Sequence, residues 1–181
     1  CDENSKLTPL SKYAKDKVVI EKKVMQRKNS ISLRLATVFG VAPRMRTDLL
    51  VNDFVYKSYF DGYLVLFEPH FKRNYIHVRD VSKCILHMID NFNKLRSNIF
   101  NVGLSNANLS KLELANRIKK FIPELVINIE SYKKDKDKRN YIVSNKKIEK
   151  TGFKPSNQLN DGIEELIKYF SIQKKYSQGN V

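Results

Sequence analysis

Nine residues, Ile31-Ser-Leu-Arg-Leu-Ala-Thr-Val-Phe39, constrain this chain more than any others. They are apolar throughout except at Ser32, Arg34 and Thr37, and Gly40 closes the run. A short, nearly continuous apolar segment bounded by a turn residue reads as a central strand of a sheet. An amphipathic helix from Tyr13 to Lys28 precedes it, with Val18, Val19, Val24 and Met25 among charges. A second helix, Asp48 to Phe60, follows. Strands are expected at Tyr63–Phe67, Asn74–Val78, Ile99–Val102, Val126–Ile129 and Tyr141–Val143. Between them lie a helix from Val81 to Asn91 capped by Asp80 and one opened by the capping box Ser110-Lys-Leu-Glu113. A short helix capped by Ser144 and a last helix opened by Asp161 complete the pattern. Strands and helices that alternate in this way argue an α/β fold.

The 181 residues suit one domain or slightly more, and 41% hydrophobic content is enough for a core. No apolar run approaches a membrane span, and the polar opening with Pro9 does not read as a secretory signal. Cys1 and Cys84 have no metal-ligand spacing, which suits a reducing cytoplasm. Cys84 falls in an apolar helical pattern and reads as core. A net charge of +15 admits a binder of nucleic acid or another anionic polymer. The densest run, Lys133-Lys-Asp-Lys-Asp-Lys-Arg139, alternates sign and lacks interleaved aromatics, so a solvated surface is the simpler reading. The loop-like opening at Cys1 is expected of a fragment whose N-terminal part is elsewhere.

The chemistry begins at Pro9-Leu-Ser11-Lys-Tyr13-Ala-Lys-Asp-Lys17. Tyr13 and Lys17 stand one helical turn apart, so both side chains leave the same face. A tyrosine hydroxyl has an ordinary pKa near ~10, and a neighbouring ammonium favours the phenolate, which is a base. The spacing is not specific, because Tyr132 and Lys136 share it inside the charge run. What distinguishes Tyr13 is context: Pro9 and Ser11 before it, Glu21 and an apolar helix after it, and then the strand.

Pro9-x-Ser11-x-Tyr13-x-x-x-Lys17-x-x-x-Glu21 resembles the active-site helix of the extended short-chain dehydrogenase/reductases, the NAD-dependent epimerases, dehydratases and dehydrogenases of nucleotide sugars. Ser32-Leu-Arg34-Leu-Ala-Thr37-Val-Phe39-Gly40, Lys72-Arg73-Asn-Tyr-Ile-His77-Val-Arg-Asp80, Asn101-Val-Gly103, Gly152-Phe-Lys-Pro155 and Asp161-Gly162-Ile163 resemble later landmarks of that family, in order. The resemblance implies the C-terminal part of a Rossmann-type NAD-binding domain plus a small α/β substrate-binding domain. Residues 1–40 would end the first domain and 41–181 would form mainly the second, with 74–103 packing back on the first.

It also implies roles. Tyr13 as phenolate removes a proton from a sugar hydroxyl while hydride leaves C4 for NAD, rather than NADP, and Lys17 lowers the phenol's pKa and holds the nicotinamide ribose. Thr37 and Val38 lie near cofactor, and Thr37, where many relatives carry Asn, near the sugar as well. Asp48 and Leu49 open a helix whose backbone N–H groups face the diphosphate, although Asp48 reads more simply as its cap. Arg73 would bind the diphosphate as a two-pronged donor, where a bare reading makes it a surface arginine. Arg139 would face phosphate or ribose. His77 reads as a structural strand histidine without a partner.

Partners implied are a nucleotide sugar and a second copy docked through the Tyr13–Lys28 helix, with no nucleic acid, membrane or metal. A closer likeness of Pro43-Arg-Met-Arg-Thr-Asp-Leu-Leu-Val-Asn-Asp-Phe54 and its flanks points to a bacterial surface-polysaccharide branch that oxidises C4 of GDP-linked heptoses. None of the six glycines forms G-x-G-x-x-G, so this polypeptide is expected to bind NAD poorly and to be inactive alone. The alternative is a non-catalytic basic module binding nucleic acid or anionic polymer.

Overall fold

The apolar run at 31–39 forms not one strand but two, and the break at Ala36 organises the molecule. A computed structural model describes residues 1–131 and 140–173. In chain order the elements are α1 (Lys12–Met25), β1 (Ile31–Leu35), β2 (Thr37–Phe39), α2 (Leu50–Phe60), β3 (Tyr63–Phe67), β4 (Lys72–His77) and α3 (Val78–Asp90). They continue with α4 (Phe92–Leu95), β5 (Asn98–Val102), β6 (Asn108–Ser110), α5 (Lys111–Lys119), β7 (Val126–Glu130), α6 (Lys146–Glu149) and α7 (Leu159–Ser171). The expected α/β class is what is found.

β1 pairs in parallel with β5, from Ile31 opposite Asn98 to Leu35 opposite Val102. The Ala36 N–H still reaches the Val102 carbonyl at 2.9 Å. The chain then changes partner, and β2 runs parallel to β4 with Thr37 opposite Tyr75 and Phe39 opposite His77. β4 carries β6 antiparallel on its other side, and β3 pairs in parallel with β7. One apolar run thus feeds two sheets.

Two apolar clusters lie on the opposite faces of β2 and β4. Val38, Ile76, Phe100, Val102, Cys84 and Met88 meet between β1, β2, β4, β5 and α3. Phe39, Tyr75, Val55, Leu114, Ile163 and Phe170 belong to the larger cluster under α2, α5 and α7. Partners in a parallel ladder point to the same face, so Thr37, Phe39, Arg73, Tyr75 and His77 share one face of the sheet. Val38 and Ile76 share the other. Among the described residues no helix is long and apolar enough to cross a membrane.

Several local expectations change. α1 stops at Met25 rather than Lys28, because the Ser30 hydroxyl donates to the carbonyls of Val24 and Arg27, both at 2.8 Å. Asp48 does not cap α2: Leu49 takes that position without a side-chain bond, and Asp48 pairs with Arg46 instead. Asp80 does not cap α3; His77 does, its Nδ1 accepting the Arg79 N–H at 3.2 Å. Residues 141–143 are not a strand. The Val143 N–H donates to the Asn108 side chain at 2.8 Å and the Ser144 N–H to the Cys1 carbonyl at 2.8 Å, so side chain and terminus replace a ladder. α6 is preceded by Asn145 rather than capped by Ser144. The Ser110/Glu113 capping box forms as read. Arg139, Tyr132 and Lys136 lie outside the described residues.

Candidate functional site

Ser11 opens α1, its hydroxyl accepting the Ala14 N–H at 3.1 Å, which places Tyr13 and Lys17 in the first turns. Both side chains are exposed, Tyr13 at 71%. The Lys17 ammonium stands 5.3 Å from the centre of the Tyr13 ring. That is cation–π distance, so the two side chains meet on one face of the helix. Neither group is walled in, so a ligand can reach both. A hydroxyl acceptor next to an ammonium donor suits a ribose and a second hydroxyl beside it, so these residues fit a dinucleotide's sugar.

α1 leads directly into β1 and β2, and through β2 to Arg73 on β4. Arg73 is only 4% exposed, so the surface-arginine reading is wrong. A buried guanidinium must be compensated. Its Nη1 donates to the Lys72 carbonyl at 2.9 Å, and its carbon lies 5.7 Å from the centre of the Tyr141 ring. Two residues on, Tyr75 is fully buried and its hydroxyl has no hydrogen-bond partner among the described residues. Burial pushes the Tyr75 pKa up, and the Arg73 charge opposes that shift, which places the hydroxyl within the field of the guanidinium. Thr37 sits opposite Tyr75 on the same face. The Val38 side chain packs into the smaller apolar cluster, so only its backbone is available to a ligand.

Asp48 and Leu49 lie at the start of α2. The Arg46 guanidinium grips Asp48 through both oxygens, at 2.6 and 2.7 Å, and holds its carboxyl below the usual range. This pair occupies the N-terminal approach to the helix.

Three groups escaped the sequence reading. His77, expected to be unpartnered, meets Glu165 of α7, Nε2 to Oε2 at 2.7 Å. Because Nδ1 accepts the Arg79 N–H, the neutral ring carries its proton on Nε2 and donates it to Glu165. Glu165 also holds Arg79 at 2.5 Å. Close packing seats the ring: a Cβ at Gly40 would stand 2.5 Å from Nε2. Asp80 is fully buried and binds the 156–157 loop instead of capping a helix. Glu21 is bound to Arg34 and Ser32. Two grooves, of about 530 and 370 Å³, meet at Arg79; one is lined by Val41, Pro43 and Tyr169, the other by His77, Asp161 and Glu165. Neither contains a residue singled out from the sequence for catalysis or binding.

The structure is similar to an NAD-dependent NDP-hexosamine 5,6-dehydratase, TunA, involved in tunicamycin biosynthesis, with a TM-score of 0.80 at 17% identity over 96% of this chain and 58% of that one. It is similar to RMD from Pseudomonas aeruginosa in complex with NADPH, with a TM-score of 0.78 at 16% identity over 96% and 60%. It is also similar to the UDP-glucuronic acid 4-epimerase of Bacillus cereus in complex with UDP-glucuronic acid and NAD, at 0.79 and 20% identity over 94% and 56%. These likenesses show a shared fold, and the chain spans less than two thirds of the length of each. A model of the NAD dependent epimerase/dehydratase family matches residues 2–103, more than half of the sequence and the segment that holds Tyr13, Lys17, Thr37 and Arg73. On that match, the chain belongs to the NAD dependent epimerase/dehydratase family.

Proposed function

We propose that this chain carries the base and the substrate-phosphate side of an NAD-dependent nucleotide-sugar epimerase, dehydratase or dehydrogenase acting at sugar C4. Family membership supports the reaction class. The observation that carries the substrate half is Arg73, a guanidinium buried on the sheet face beside an unpartnered Tyr75 hydroxyl. NAD bound at this site would supply the hydride acceptor. Tyr13 then takes the sugar hydroxyl proton, Lys17 favours its phenolate and holds a ribose hydroxyl, and Arg73 grips the diphosphate through charge-assisted hydrogen bonds. Thr37 orients the sugar hydroxyl, the Val38 backbone faces cofactor, Asp48 and Leu49 flank the diphosphate at the start of α2, and Arg139 adds a further phosphate contact. A GDP-linked sugar of a surface polysaccharide is the substrate class favoured by the 43–54 segment.

The smaller apolar cluster joins Ile31, Leu33, Ala36 and Val38 with Ile76, Cys84, Met88, Phe100 and Val102, while the larger begins at Phe39 and takes in α2, which supports a division near residue 40 with 74–103 returning to the first unit. Val19 and Ile20, each 52% exposed, and Val24 at 38% form an apolar strip on α1 that supports a homodimer through that helix. The thiols of Cys1 and Cys84 are both free, which suits the cytoplasm.

The test is calorimetric titration of the chain with UDP-glucose, GDP-mannose and dTDP-glucose. One of these should bind, and Arg73→Met should weaken it by about 10- to 100-fold, the worth of a hydrogen bond to a charged group. Arg73→Lys, which keeps the charge, should lie between. Equal affinity in the wild type and both Arg73 variants would refute the assignment. Binding of heparin or DNA that collapses with salt, without sugar-nucleotide binding, would support the basic-module reading instead.

A further inference from the structure

α1 bears the proposed base, yet it buries no residue. Its inner face rests on Ala14, Val18, Glu21 and Met25, all of them only partly covered. Apolar contact is non-directional, so a helix seated this lightly is free to roll unless something fixes its angle. Glu21 supplies a directional tie. Its Oε1 accepts from Arg34 Nη2 at 2.6 Å, and its Oε2 accepts from Arg34 Nε at 2.9 Å and from the Ser32 hydroxyl at 2.9 Å. Arg34 is itself held: it sits in β1 opposite Asn101, and its Nη1 donates to the Glu3 carbonyl at 3.2 Å. The Glu3 carboxylate accepts the Asn101 N–H at 2.8 Å, so the N-terminal loop closes the same corner.

We propose that Glu21 and Arg34 are positioning residues that set the rotation of α1 about its axis and so aim Tyr13 and Lys17. The proposal rests on the reading of that pair given above. The spacing suits the task. Tyr13, Lys17 and Glu21 stand at successive four-residue steps, which puts Glu21 about 12 Å along the axis and about 80° round from Tyr13. A two-pronged contact between planar groups fixes an angle as well as a distance, which a lysine at position 34 does not reproduce. Side chains reach about 5–6 Å from a helix axis, so a roll of about 10° moves them by about 1 Å. A misplacement of about 1 Å can cost about 100-fold in rate.

The experiment replaces Tyr13 with 3-fluorotyrosine in the whole chain and records its fluorine resonance. A fixed pair gives one line that moves when Lys17→Met is introduced. In Glu21→Gln, and in Arg34→Lys, which keeps the charge in the fold, the line should broaden or split and lose its response to Lys17→Met. The charge-exchanged chain, Glu21→Arg with Arg34→Glu, should recover a single line. A lowered melting temperature with the line and its Lys17 response unchanged would overturn the proposal, leaving Glu21 a structural residue only. The site reading is separated by turnover: Tyr13→Phe with full activity sinks that reading, while the fluorine result still decides whether the clamp positions the helix. Where turnover is observed, Glu21→Gln should lower kcat by about 100-fold with KM little changed.

Discussion

Gly103→Ala isolates one contact cleanly, because Gly103 has no left-handed backbone to strain. A Cβ there would lie 1.7 Å from Asn74 Oδ1, 2.8 Å from its Cγ and 3.0 Å from Ala36 Cβ. The Asn74 carboxamide cannot simply step aside. It is 1% exposed, its Nδ2 donates to the Leu104 carbonyl at 2.7 Å, and its Oδ1 accepts from Asn145 Nδ2 at 3.3 Å. The Leu104 carbonyl keeps the Ala107 N–H at 3.0 Å, but expelling the carboxamide strips Asn145 Nδ2 of its acceptor and the Asn74 amide of its own bonds, at about 1–3 kcal/mol each. The alanine returns about 0.4–1 kcal/mol by restricting the unfolded chain. The net loss is about 3 kcal/mol, a large share of a typical domain's stability. In an Asn74→Ala background the two closest of these contacts are gone, Ala36 Cβ at 3.0 Å remains, and the same substitution should cost under about 1 kcal/mol, a coupling of about 2 kcal/mol. Urea denaturation followed by circular dichroism measures all four corners of the cycle. A cost of Gly103→Ala that is equal in both backgrounds, or below about 1 kcal/mol in the wild type, would refute the argument.

Two further outcomes follow from buried ionisable groups. Burial pushes the Asp80 carboxyl up, but hydrogen bonds from the Asn157 and Ser156 N–H groups and side chains, at 2.9–3.1 Å, outweigh it and hold the pKa below the usual range. Stability from Asp80 is therefore full above the unfolded value near ~4 and lost as pH falls through the lower folded value, so Asp80→Asn should flatten the acid limb of stability against pH while costing about 2–4 kcal/mol at pH 7. An acid limb as steep as the wild type's would count against this. Burial pushes the Cys84 thiol up to about 11, whereas Cys1 is exposed. A disulfide reagent at pH 8 should thus label one thiol quickly and the second only in denaturant, and two fast thiols would show that α3 opens readily.

What the sequence made legible was local. The Ser110/Glu113 box, the α1 start and the amphipathic face of α7 each depend on residues three or four apart and appear as read, but Asp161 does not open α7: the helix begins at Leu159 after Gln158, whose N–H the Asp161 carboxylate accepts at 2.9 Å. The break at Ala36 was not legible, because it comes from a change of partner between β5 and β4, which lie far along the chain. The same holds for Glu165, 88 residues from His77. Tyr141–Val143 has strand-like residues but meets the Asn108 side chain instead of a partner strand, so β propensity had nothing to act on. Arg73 is the instructive case. Reading the strand from Asn74 left Lys72 and Arg73 in a basic loop, where an arginine is ordinarily solvated. β4 in fact begins at Lys72, and strand parity then decides the matter. Position 73 falls on the same face as Tyr75 and His77, the face that Phe39 and α7 cover, so the guanidinium is carried inside by its neighbours' packing. That placement is why Arg73, rather than the more conspicuous Lys-rich run, is the group on which the proposed substrate site depends: packing on the sheet face holds its planar fork in one position, where it can donate paired hydrogen bonds to phosphate oxygens.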